Sequence, residues 1–258
     1  MNDLFNIRGK TALITGGSRG IGLMIAQGMV EAGAKVYIVS RKADAVAHAA
    51  NKLAESGECI GLSADLSREA GIQALANSFR EREEKLHILI NNAGTTWGAP
   101  LAEYPDKAWD KVLGLNVKAP FTLTRELLPQ LKAAGTLEDP ARVINTGSIA
   151  GMRTDIMQAY AYSASKAALH HVTHLLANEL APKHITVNAI APGPFHTKMT
   201  SFMLDNPSME KAMAKQIPLG RIGTPEDVAG MAIFLSSRAG AFVTGTVIPL
   251  DGGLSNKP

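Results

Sequence analysis

The chain alternates between two kinds of segment, and this alternation is the feature that most limits its possible folds. Short runs rich in β-branched residues are separated by longer stretches in which apolar residues recur with helical spacing. The runs are TALIT (11–15), KVYIVS (35–40), CIGLS (59–63), LHILIN (86–91), RVINTG (142–147), HITVNAIA (184–191) and GTVIPL (245–250). Most are apolar nearly throughout, as strands covered on both faces should be. We therefore predict an α/β fold, a doubly wound parallel sheet with helices on both faces.

No repeat or linker divides the 258 residues, so we expect a single domain over 1–258. Two stretches interrupt the alternation: the polar connection 134–141, and the segment 192–223, which is rich in Pro, Met and Gly. Within the latter, residues 194–218 lie between two possible hinges, Gly193 and Gly220. We expect residues 194–218 to form a mobile lid that excludes water from a substrate.

Composition argues against several classes of protein. The net charge is only +3 and no dense Lys/Arg cluster occurs, which disfavours nucleic-acid binding. Cys59 is the only cysteine, so an internal disulfide is impossible and a cysteine-based metal site is disfavoured. The start of the sequence lacks the pattern of a signal peptide, and no apolar run is long enough to span a membrane. We expect a soluble cytoplasmic protein.

Residues 15–22, TGGSRGIG, follow the first predicted strand and open a helix. Gly16, Gly20 and Gly22 would let the backbone turn tightly and approach a pyrophosphate, which a helix N-terminus attracts. The spacing differs from the usual G-x-G-x-x-G, and a purely structural glycine turn is the alternative. Its place between a strand and a helix favours dinucleotide binding in a Rossmann-like domain.

The end of the second predicted strand indicates which dinucleotide would bind. NAD-binding domains carry an Asp or Glu there, but this strand ends in Ser40, followed by Arg41 and Lys42. Arg41 could form a forked contact with a 2′-phosphate, and Arg19 in the glycine turn could add a second positive charge. The alternative is that these are solvated loop charges. The missing acid favours NADP(H) as the cofactor.

The stretch AYAYSASKAAL (159–169) holds two tyrosines and a lysine. On a helix, Tyr162 and Lys166 are four residues apart and share one face, whereas Tyr160 has no cation at that spacing. A nearby ammonium favours the phenolate and lowers the pKa of a tyrosine, which makes acid–base catalysis at neutral pH feasible. Ser148 follows the fifth predicted strand, at the edge where parallel sheets bind ligands, and could hold a reacting oxygen.

His170 and His174 lie on the same predicted helix, also four residues apart, a spacing that can bind a metal. No third ligand lies beside them, and HHVTH lacks the glutamate of the H-E-x-x-H motif. We therefore predict no metal site, and we expect this histidine face to be an outer or subunit-facing helix surface.

Several motifs occur in order across almost the whole chain: TGGSRGIG, NNAG (91–94), LNV (115–117), GS (147–148), YSASK (162–166), APG (191–193) with Thr197, and GTVIPLDGG (245–253). With these motifs the sequence resembles the short-chain dehydrogenase/reductase family, in its NADP-type branch. It is also similar to 3-oxoacyl-[acyl-carrier-protein] reductases, especially the kind associated with rhamnolipid synthesis.

The resemblance implies a role for four residues. Tyr162 would be the general acid in reduction or the base in oxidation, and Lys166 would lower its pKa and bind the nicotinamide ribose. Ser148 would polarise the substrate carbonyl, and Asn116 would hold a water in a proton relay. Besides Tyr162, Lys166 and Arg41, the residues expected to contact the cofactor are Gly16, Ser18, Arg19, Gly20, Ile21, Gly22, Asp65, Leu66, Asn92, Ala93, Gly94, Ile190, Ala191, Pro192, Gly193 and Thr197.

The substrate is expected to contact loops 95–101, 149–158 and 194–218. Six of the ten methionines fall within 152–213, namely Met152, Met157, Met199, Met203, Met209 and Met213, and Met adapts to apolar ligands. Trp97, Ile149 and Phe195 could add apolar walls. An equally open interpretation places these methionines in the core or in subunit contacts. If they line the pocket, an acyl chain fits better than a sugar.

The resemblance implies an NADPH-dependent carbonyl reductase, with a 3-oxoacyl thioester as the favoured substrate. An acidic acyl-carrier protein could dock on Arg125, Arg153 and Lys198, and a homotetramer or homodimer is expected. One alternative is an alcohol dehydrogenase that oxidises a sugar acid, polyol or sterol. Another is a non-catalytic dinucleotide sensor, which is disfavoured because Asn116, Ser148, Tyr162 and Lys166 are all present.

Overall fold

The computed structural model describes residues 3–154 and 158–256, apart from the side chain of Phe202. Among these residues, seven parallel strands form one sheet in the order β3-β2-β1-β4-β5-β6-β7. The strands are β1 (Thr11–Thr15), β2 (Lys35–Ser40), β3 (Cys59–Ser63), β4 (Ile88–Asn91), β5 (Ala141–Thr146), β6 (Ile185–Pro192) and β7 (Val247–Leu250). Each lies within two residues of its predicted position, so the α/β fold and the parallel sheet are confirmed.

Helices connect the strands and cover both faces of the sheet. They are α1 (Gly20–Glu31), α2 (Ala43–Ala54), α3 (Glu69–Arg80), α4 (Asp106–Leu113), α5 (Ala119–Glu126), α6 (Leu128–Ala134), α7 (Tyr160–Leu180), α8 (Ser201–Leu204), α9 (Pro207–Gln216) and α10 (Pro225–Ser236). A π-helical turn, Gly114–Lys118, joins α4 to α5. Gly33 ends α1 with a left-handed φ of 85°, the conformation that glycine adopts most easily after a helix.

Successive strand side chains point to opposite faces, and each face has its own core. In β1, Ala12 and Ile14 belong to the core formed with α1, α2 and α10. Leu13, between them, belongs to the core formed with α3, α5, α6 and α7. Burial of each such Leu or Ile side chain stabilises the fold by about 1.5–3 kcal/mol. The continuous apolar runs of the sequence are therefore explained by burial on two sides.

The sheet order reverses between β1 and β4, and this reversal determines where a ligand can bind. The connections after β1 and β4 lead to opposite sides, which leaves a crevice at the carboxyl ends of the strands. Residues at the ends of β1, β4, β5 and β6 meet at this edge. The predicted functional residues follow these strands.

The segment after β6 folds into two short helices beside this crevice. Leu204, Ile217, Ile222 and Leu254 form a small separate apolar cluster that holds α8 and α9 together with the C-terminal turn. Gly220 has a left-handed φ of 70°, so the chain turns sharply just after the predicted lid. No helix of the described ranges is long and apolar enough to cross a membrane.

Candidate active site

The turn between β1 and α1 requires glycine at the positions that the sequence singled out. Gly16 has a φ of 69°, and a Cβ there would lie 2.9 Å from Nδ2 of Asn92. A Cβ on Gly22 would collide with the same amide and with the Gly16 carbonyl. The side chain of Arg19, the residue before α1, makes no capping hydrogen bond with the helix. The result is a narrow backbone cradle at a helix N-terminus, which suits a pyrophosphate.

Thr15 fixes the predicted NNAG turn against this cradle. Its hydroxyl oxygen accepts hydrogen bonds from the backbone N–H groups of Asn92 at 2.9 Å and Ala93 at 3.0 Å. Nδ2 of Asn92 donates to the Thr15 carbonyl at 3.0 Å. Sequence reasoning missed Thr15. The available signal was the threonine directly before Gly16, because a hydroxyl at that position can accept hydrogen bonds from the backbone of a neighbouring turn.

Arg41 and Asp65 occupy the outer side of the cradle, at the ends of β2 and β3. Arg41 is exposed, and its carbonyl accepts a hydrogen bond from the Ser63 hydroxyl at 3.3 Å. Hydrogen bonds from Ser67 lower the pKa of the Asp65 carboxyl, with smaller contributions from the charges of Arg41 and Arg68. Leu66, predicted beside the adenine, is buried in the core. The exposed guanidinium is therefore available for a phosphate at this position.

Gly193 and Thr197 border the other side of the crevice, after β6. The backbone N–H of Gly193 donates to the Leu250 carbonyl at 3.0 Å, and a Cβ built on Gly193 would lie 2.6 Å from Cβ of Asp251. A Cβ built on Gly20 would lie 3.4 Å from Cγ2 of Thr197. The predicted lid thus begins directly over the glycine turn. An open surface depression lies beside this contact, lined by residues of α1 and by residues 196–205.

Lys166 is buried beside the ring of Tyr162, as the helical spacing predicted. Its side chain is 5% exposed, and Nζ lies 5.6 Å from the centroid of the Tyr162 ring. Nζ donates a hydrogen bond to the Thr146 carbonyl at 2.6 Å. Burial lowers the pKa of Lys166 to about 8, and no carboxylate of the described residues forms an ion pair with it. The positive charge is therefore directed at a phenol and a carbonyl.

Tyr160, the other tyrosine of this stretch, faces a different group. Its ring packs edge-to-face on Tyr104, with the ring centroids 5.2 Å apart. It is 37% exposed. Of the two tyrosines on α7, the described contacts therefore place Tyr162 against the lysine and Tyr160 in an aromatic cluster.

Ser148 begins the 3₁₀ turn Ile149–Gly151 that follows β5. Its Oγ accepts a hydrogen bond from the backbone N–H of Ala150 at 3.1 Å, and its own N–H donates to Nε2 of His170 at 3.4 Å. A hydroxyl that accepts from a backbone N–H still has its own hydrogen to donate. Ser148 can therefore donate a hydrogen bond to a substrate oxygen.

Asn116 lies in the π-helical turn and is 1% exposed. Its amide is held by three hydrogen bonds of 2.9 Å, two exchanged with the backbone of Thr95 and one donated to Oγ of Ser165. A Cβ on Gly94 would lie 3.3 Å from Oδ1 of Asn116 and 3.8 Å from Nζ of Lys166. The two predicted catalytic side chains therefore border the same glycine. The proposed water relay through Asn116 stays a prediction.

His170 does not lie on an outer helix surface, and that expectation was wrong. Its side chain is 7% exposed and lies beneath the Ser148 turn, because Gly147 and Gly151 leave no Cβ in the way. Burial lowers the pKa of His170 to about 4, and the nearby charges of Lys166 and His174 contribute. His174 is exposed. No group of three metal-ligating side chains occurs in the part of the chain that the structure describes.

A buried polar network behind the site was also missed by sequence reasoning. Nδ2 of Asn91 donates to Oδ1 of Asn145 at 3.0 Å and to the Thr124 hydroxyl at 3.3 Å. Nδ2 of Asn145 donates to the Thr173 hydroxyl at 2.9 Å. These bonds join β4, β5, α5 and α7. The available signal was an asparagine in each of two otherwise apolar strands.

The predicted apolar substrate wall is only partly present. Phe195 is 2% exposed and packs in the core against Gly223, so its expected place in the wall was wrong. Met203, Met213 and Ile149 pack on the small cluster beneath α8 and α9. Three other methionines, Met152, Met199 and Met209, are exposed. Met157 lies outside the described residues. Trp97 is half-buried, and Nζ of Lys111 lies 5.0 Å from its ring centroid.

The chain is similar to known proteins over almost its whole length. The family model described as "Enoyl-(Acyl carrier protein) reductase" matches residues 16–255. The rhamnolipids biosynthesis 3-oxoacyl-[acyl-carrier-protein] reductase of Pseudomonas aeruginosa is 51% identical over 98% of this chain and 99% of that protein. The solved Pseudomonas aeruginosa RhlG/NADP active-site complex superposes with a TM-score of 0.96 and 50% identity, over 99% of this chain and 100% of that one. The 2-dehydro-3-deoxy-D-gluconate 5-dehydrogenase of Pseudoalteromonas atlantica is 36% identical over 98% of each chain.

Proposed function

Because the chain belongs to the short-chain dehydrogenase/reductase family, we propose that it is an NADPH-dependent reductase of 3-oxoacyl thioesters. The family resemblance drawn from the ordered motifs is confirmed. The observation that carries the proposal is the buried ammonium of Lys166, 5.6 Å from the Tyr162 ring and at the same edge as the glycine cradle. The strongest support for the substrate is the printed activity of the Pseudomonas aeruginosa relative.

The residues of the crevice fit NADPH. The glycine turn and the N-terminus of α1 would hold the pyrophosphate, and Arg41 would hold the 2′-phosphate. Gly94, Gly193 and Thr197 would border the nicotinamide half. When bound, the cofactor supplies hydride transfer to the carbonyl carbon. That a solved relative carries NADP supports this choice over NAD.

The chain's own side chains would supply the proton and orient the carbonyl. Ser148 would donate a hydrogen bond to the carbonyl oxygen, because its Oγ accepts from Ala150 and its own hydrogen remains available to donate. Tyr162 would give its phenolic proton to the same oxygen, so that the ketone becomes an alcohol. Lys166 would stabilise the phenolate that this leaves, and Asn116 would help to return a proton to it.

The proposal is tested by following NADPH oxidation with 3-oxoacyl thioesters, quinones, steroids and sugar ketones. We expect turnover of the thioesters, and a lower KM for NADPH than for NADH. Tyr162→Phe should abolish turnover and leave NADPH binding nearly intact, because only the proton donor is lost. Turnover of a sugar ketone with none of any thioester would refute the substrate. Near wild-type turnover by Tyr162→Phe would refute the mechanism.

A second candidate is oxidation or reduction of a sugar acid. One observation favours it: a relative at 36% identity over 98% of each chain is a 2-dehydro-3-deoxy-D-gluconate 5-dehydrogenase. The exposed Met152 and Met199 near the crevice fit an acyl chain better than a polyhydroxylated substrate. The same substrate series separates the two candidates.

Further parts of the proposal concern the lid and the partners. Residues 194–218 would close over the substrate, and the packing of Leu204 and Ile217 in a small cluster separate from the main cores supports such movement. The exposed Leu175 of α7 and the fully exposed Phe242 before β7 support a homo-oligomer, a tetramer or dimer, formed through these elements. Of the three basic residues considered for an acyl-carrier protein, Lys198 is exposed beside the crevice, whereas Arg125 pairs with Glu126. We place the enzyme in the cytoplasm.

A further inference from the structure

Helix α7, which carries Tyr162 and Lys166, begins without a capping side chain of its own. The residue before it is Ala159, which makes no side-chain hydrogen bond to the helix. The first N–H groups of a helix have no acceptor within the helix, and Ser, Thr, Asp or Asn usually supplies one. The start of the helix that presents the proposed proton donor therefore depends on another part of the chain.

The hydroxyl of Tyr104 supplies that acceptor. It accepts a hydrogen bond from the backbone N–H of Ala161 at 3.2 Å and donates one to the carbonyl of Trp97, also at 3.2 Å. Ala161 directly precedes Tyr162. One hydroxyl therefore joins the first turn of α7 to the loop after β4, which borders the crevice.

Ring contacts fix the position of this hydroxyl. Tyr104 packs edge-to-face on Tyr160 with the ring centroids 5.2 Å apart, and on Trp109 at 6.1 Å. Such aromatic pairs add about 0.5–1.5 kcal/mol beyond their buried area. The phenol of Tyr104 therefore has little freedom to turn away from α7.

The loop that Tyr104 contacts is tied to the site at two further points. The backbone of Thr95 exchanges two hydrogen bonds of 2.9 Å with Asn116. The N–H of Ala99 donates to the carbonyl of Gln158 at 3.4 Å, just before α7. Hydrogen bonds thus connect this loop to the start of the helix that carries Tyr162 and Lys166, and the Tyr104 side chain contacts both.

We infer that Tyr104 is a positioning residue, and this inference rests on the proposed carbonyl reductase activity. Tyr104 caps α7 and fixes the loop after β4 that contains Trp97, so that Tyr162 faces the substrate oxygen. It does not touch the reacting atoms. Its hydroxyl sets the position of the backbone one residue before the proton donor. A small displacement of a catalytic group can lower the rate severalfold or more, because proton transfer depends steeply on geometry.

The experiment compares Tyr104→Phe with Tyr37→Phe. In the control, the Tyr37 hydroxyl donates to Glu83 at 2.7 Å, and the Tyr37 ring also packs edge-to-face on another ring. Tyr37 lies on β2, away from α7. We expect kcat of Tyr104→Phe to fall by about 5- to 20-fold, with the Kd for NADPH within twofold of wild type. Tyr37→Phe should keep the wild-type kcat even if its Tm falls as much as the Tm of Tyr104→Phe. Equal kcat values for the two variants would overturn the inference.

A second measurement needs neither substrate nor stable variant. Hydrogen–deuterium exchange with single-residue fragmentation should show the Ala161 amide of the wild type exchanging at least about tenfold slower than an unprotected amide, because it is hydrogen-bonded. Exchange at the unprotected rate would overturn the inference. If wild-type enzyme turns over no thioester, the proposed substrate is wrong, and this measurement still tests whether the Ala161 amide at the start of α7 is hydrogen-bonded.

Discussion

Strand β5 has a buried cation at each of its ends, and the two cations are held in opposite ways. At the amino end, Arg142 is 1% exposed and donates to the Asp139 carboxylate at 3.0 Å. It also donates to the carbonyls of Leu235 and Ser237, at 2.9 Å each. At the carboxyl end, Lys166 is 5% exposed, and its described hydrogen bond goes to a neutral carbonyl.

The difference separates a structural cation from a reactive one. Arg142 and Lys10 together bind the C-terminal carbonyls of α10 and share Asp139, which opposes the effect of burial on the pKa of each cation. They complement the negative end of the helix dipole. Burial lowers the pKa of Lys166 to about 8, and with no carboxylate partner within residues 3–154 and 158–256 its charge can act on the neighbouring phenol. Charge neutralisation, more than burial, decides which end can do chemistry.

The largest expected effect belongs to Lys166→Met. Removal of the ammonium raises the pKa of Tyr162 in this mechanism, so kcat should fall by about 10²–10⁴-fold and the pH optimum should move upward. The free energy of unfolding should fall little or even rise, because a buried cation that forms no ion pair with the described carboxylates is costly. Steady-state kinetics across a pH series and urea unfolding measure both. A kcat within tenfold of wild type would contradict the comparison.

Arg142→Met should give the reverse pattern. Loss of the guanidinium removes the donor of the buried Leu235 carbonyl and one of the donors of Asp139 and of the Ser237 carbonyl, so the free energy of unfolding should fall by about 3 kcal/mol. The kcat of the folded enzyme should stay within twofold of wild type, because the described partners of the Arg142 side chain are Asp139, Leu235 and Ser237, which lie outside the site. Urea unfolding and active-site-normalised kinetics test this. A large loss of kcat at unchanged stability would reverse the assignment of the two ends.

His170 should make the folded state sensitive to acid. Its pKa is about 4 in the folded chain, against a usual value of 6.5. Between pH 6.5 and pH 4 the unfolded chain therefore binds a proton that the folded chain does not. Stability should therefore fall as the pH drops through this window, by up to about 3 kcal/mol. His170→Gln should flatten that part of the stability profile, and His174→Gln, at an exposed position, should not. Parallel profiles for wild type and His170→Gln would contradict this.

The smallest effect is expected for Asp139→Asn. The carboxylate serves both Arg142 and Lys10, but it is 33% exposed, so water screens part of its charge. The free energy of unfolding should fall by about 1 kcal/mol, with less loss at high salt. A double-mutant cycle with Lys10→Met measures how much of this is the pair itself. Additive losses would show that the carboxylate acts on Arg142 alone.

The sequence predicted more of the sheet and the cofactor cradle than of the contacts that hold the site. The strands were recognisable because burial on both faces requires continuous apolar runs, and the glycine turn because only glycine fits beside Asn92. Tyr162 and Lys166 were found because four-residue spacing on a helix is a local property. Thr15 and Tyr104 were missed, since their partners are distant in sequence. The predicted placement of His170 was wrong, because its burial depends on Gly147 and Gly151, which lie against its ring and are distant from it in sequence.

The sequence by itself therefore determined the layers of the fold, the cradle, and the pairing of one tyrosine with one lysine. Periodicity and spacing along a single element are sufficient for these. Only the tertiary structure decided that Lys166 is buried with no carboxylate partner among the described residues, while Arg142 is buried with one. It also decided that a tyrosine from another element caps α7. Desolvation, charge pairing and capping between elements depend on which surfaces meet, and spacing along the chain does not specify that.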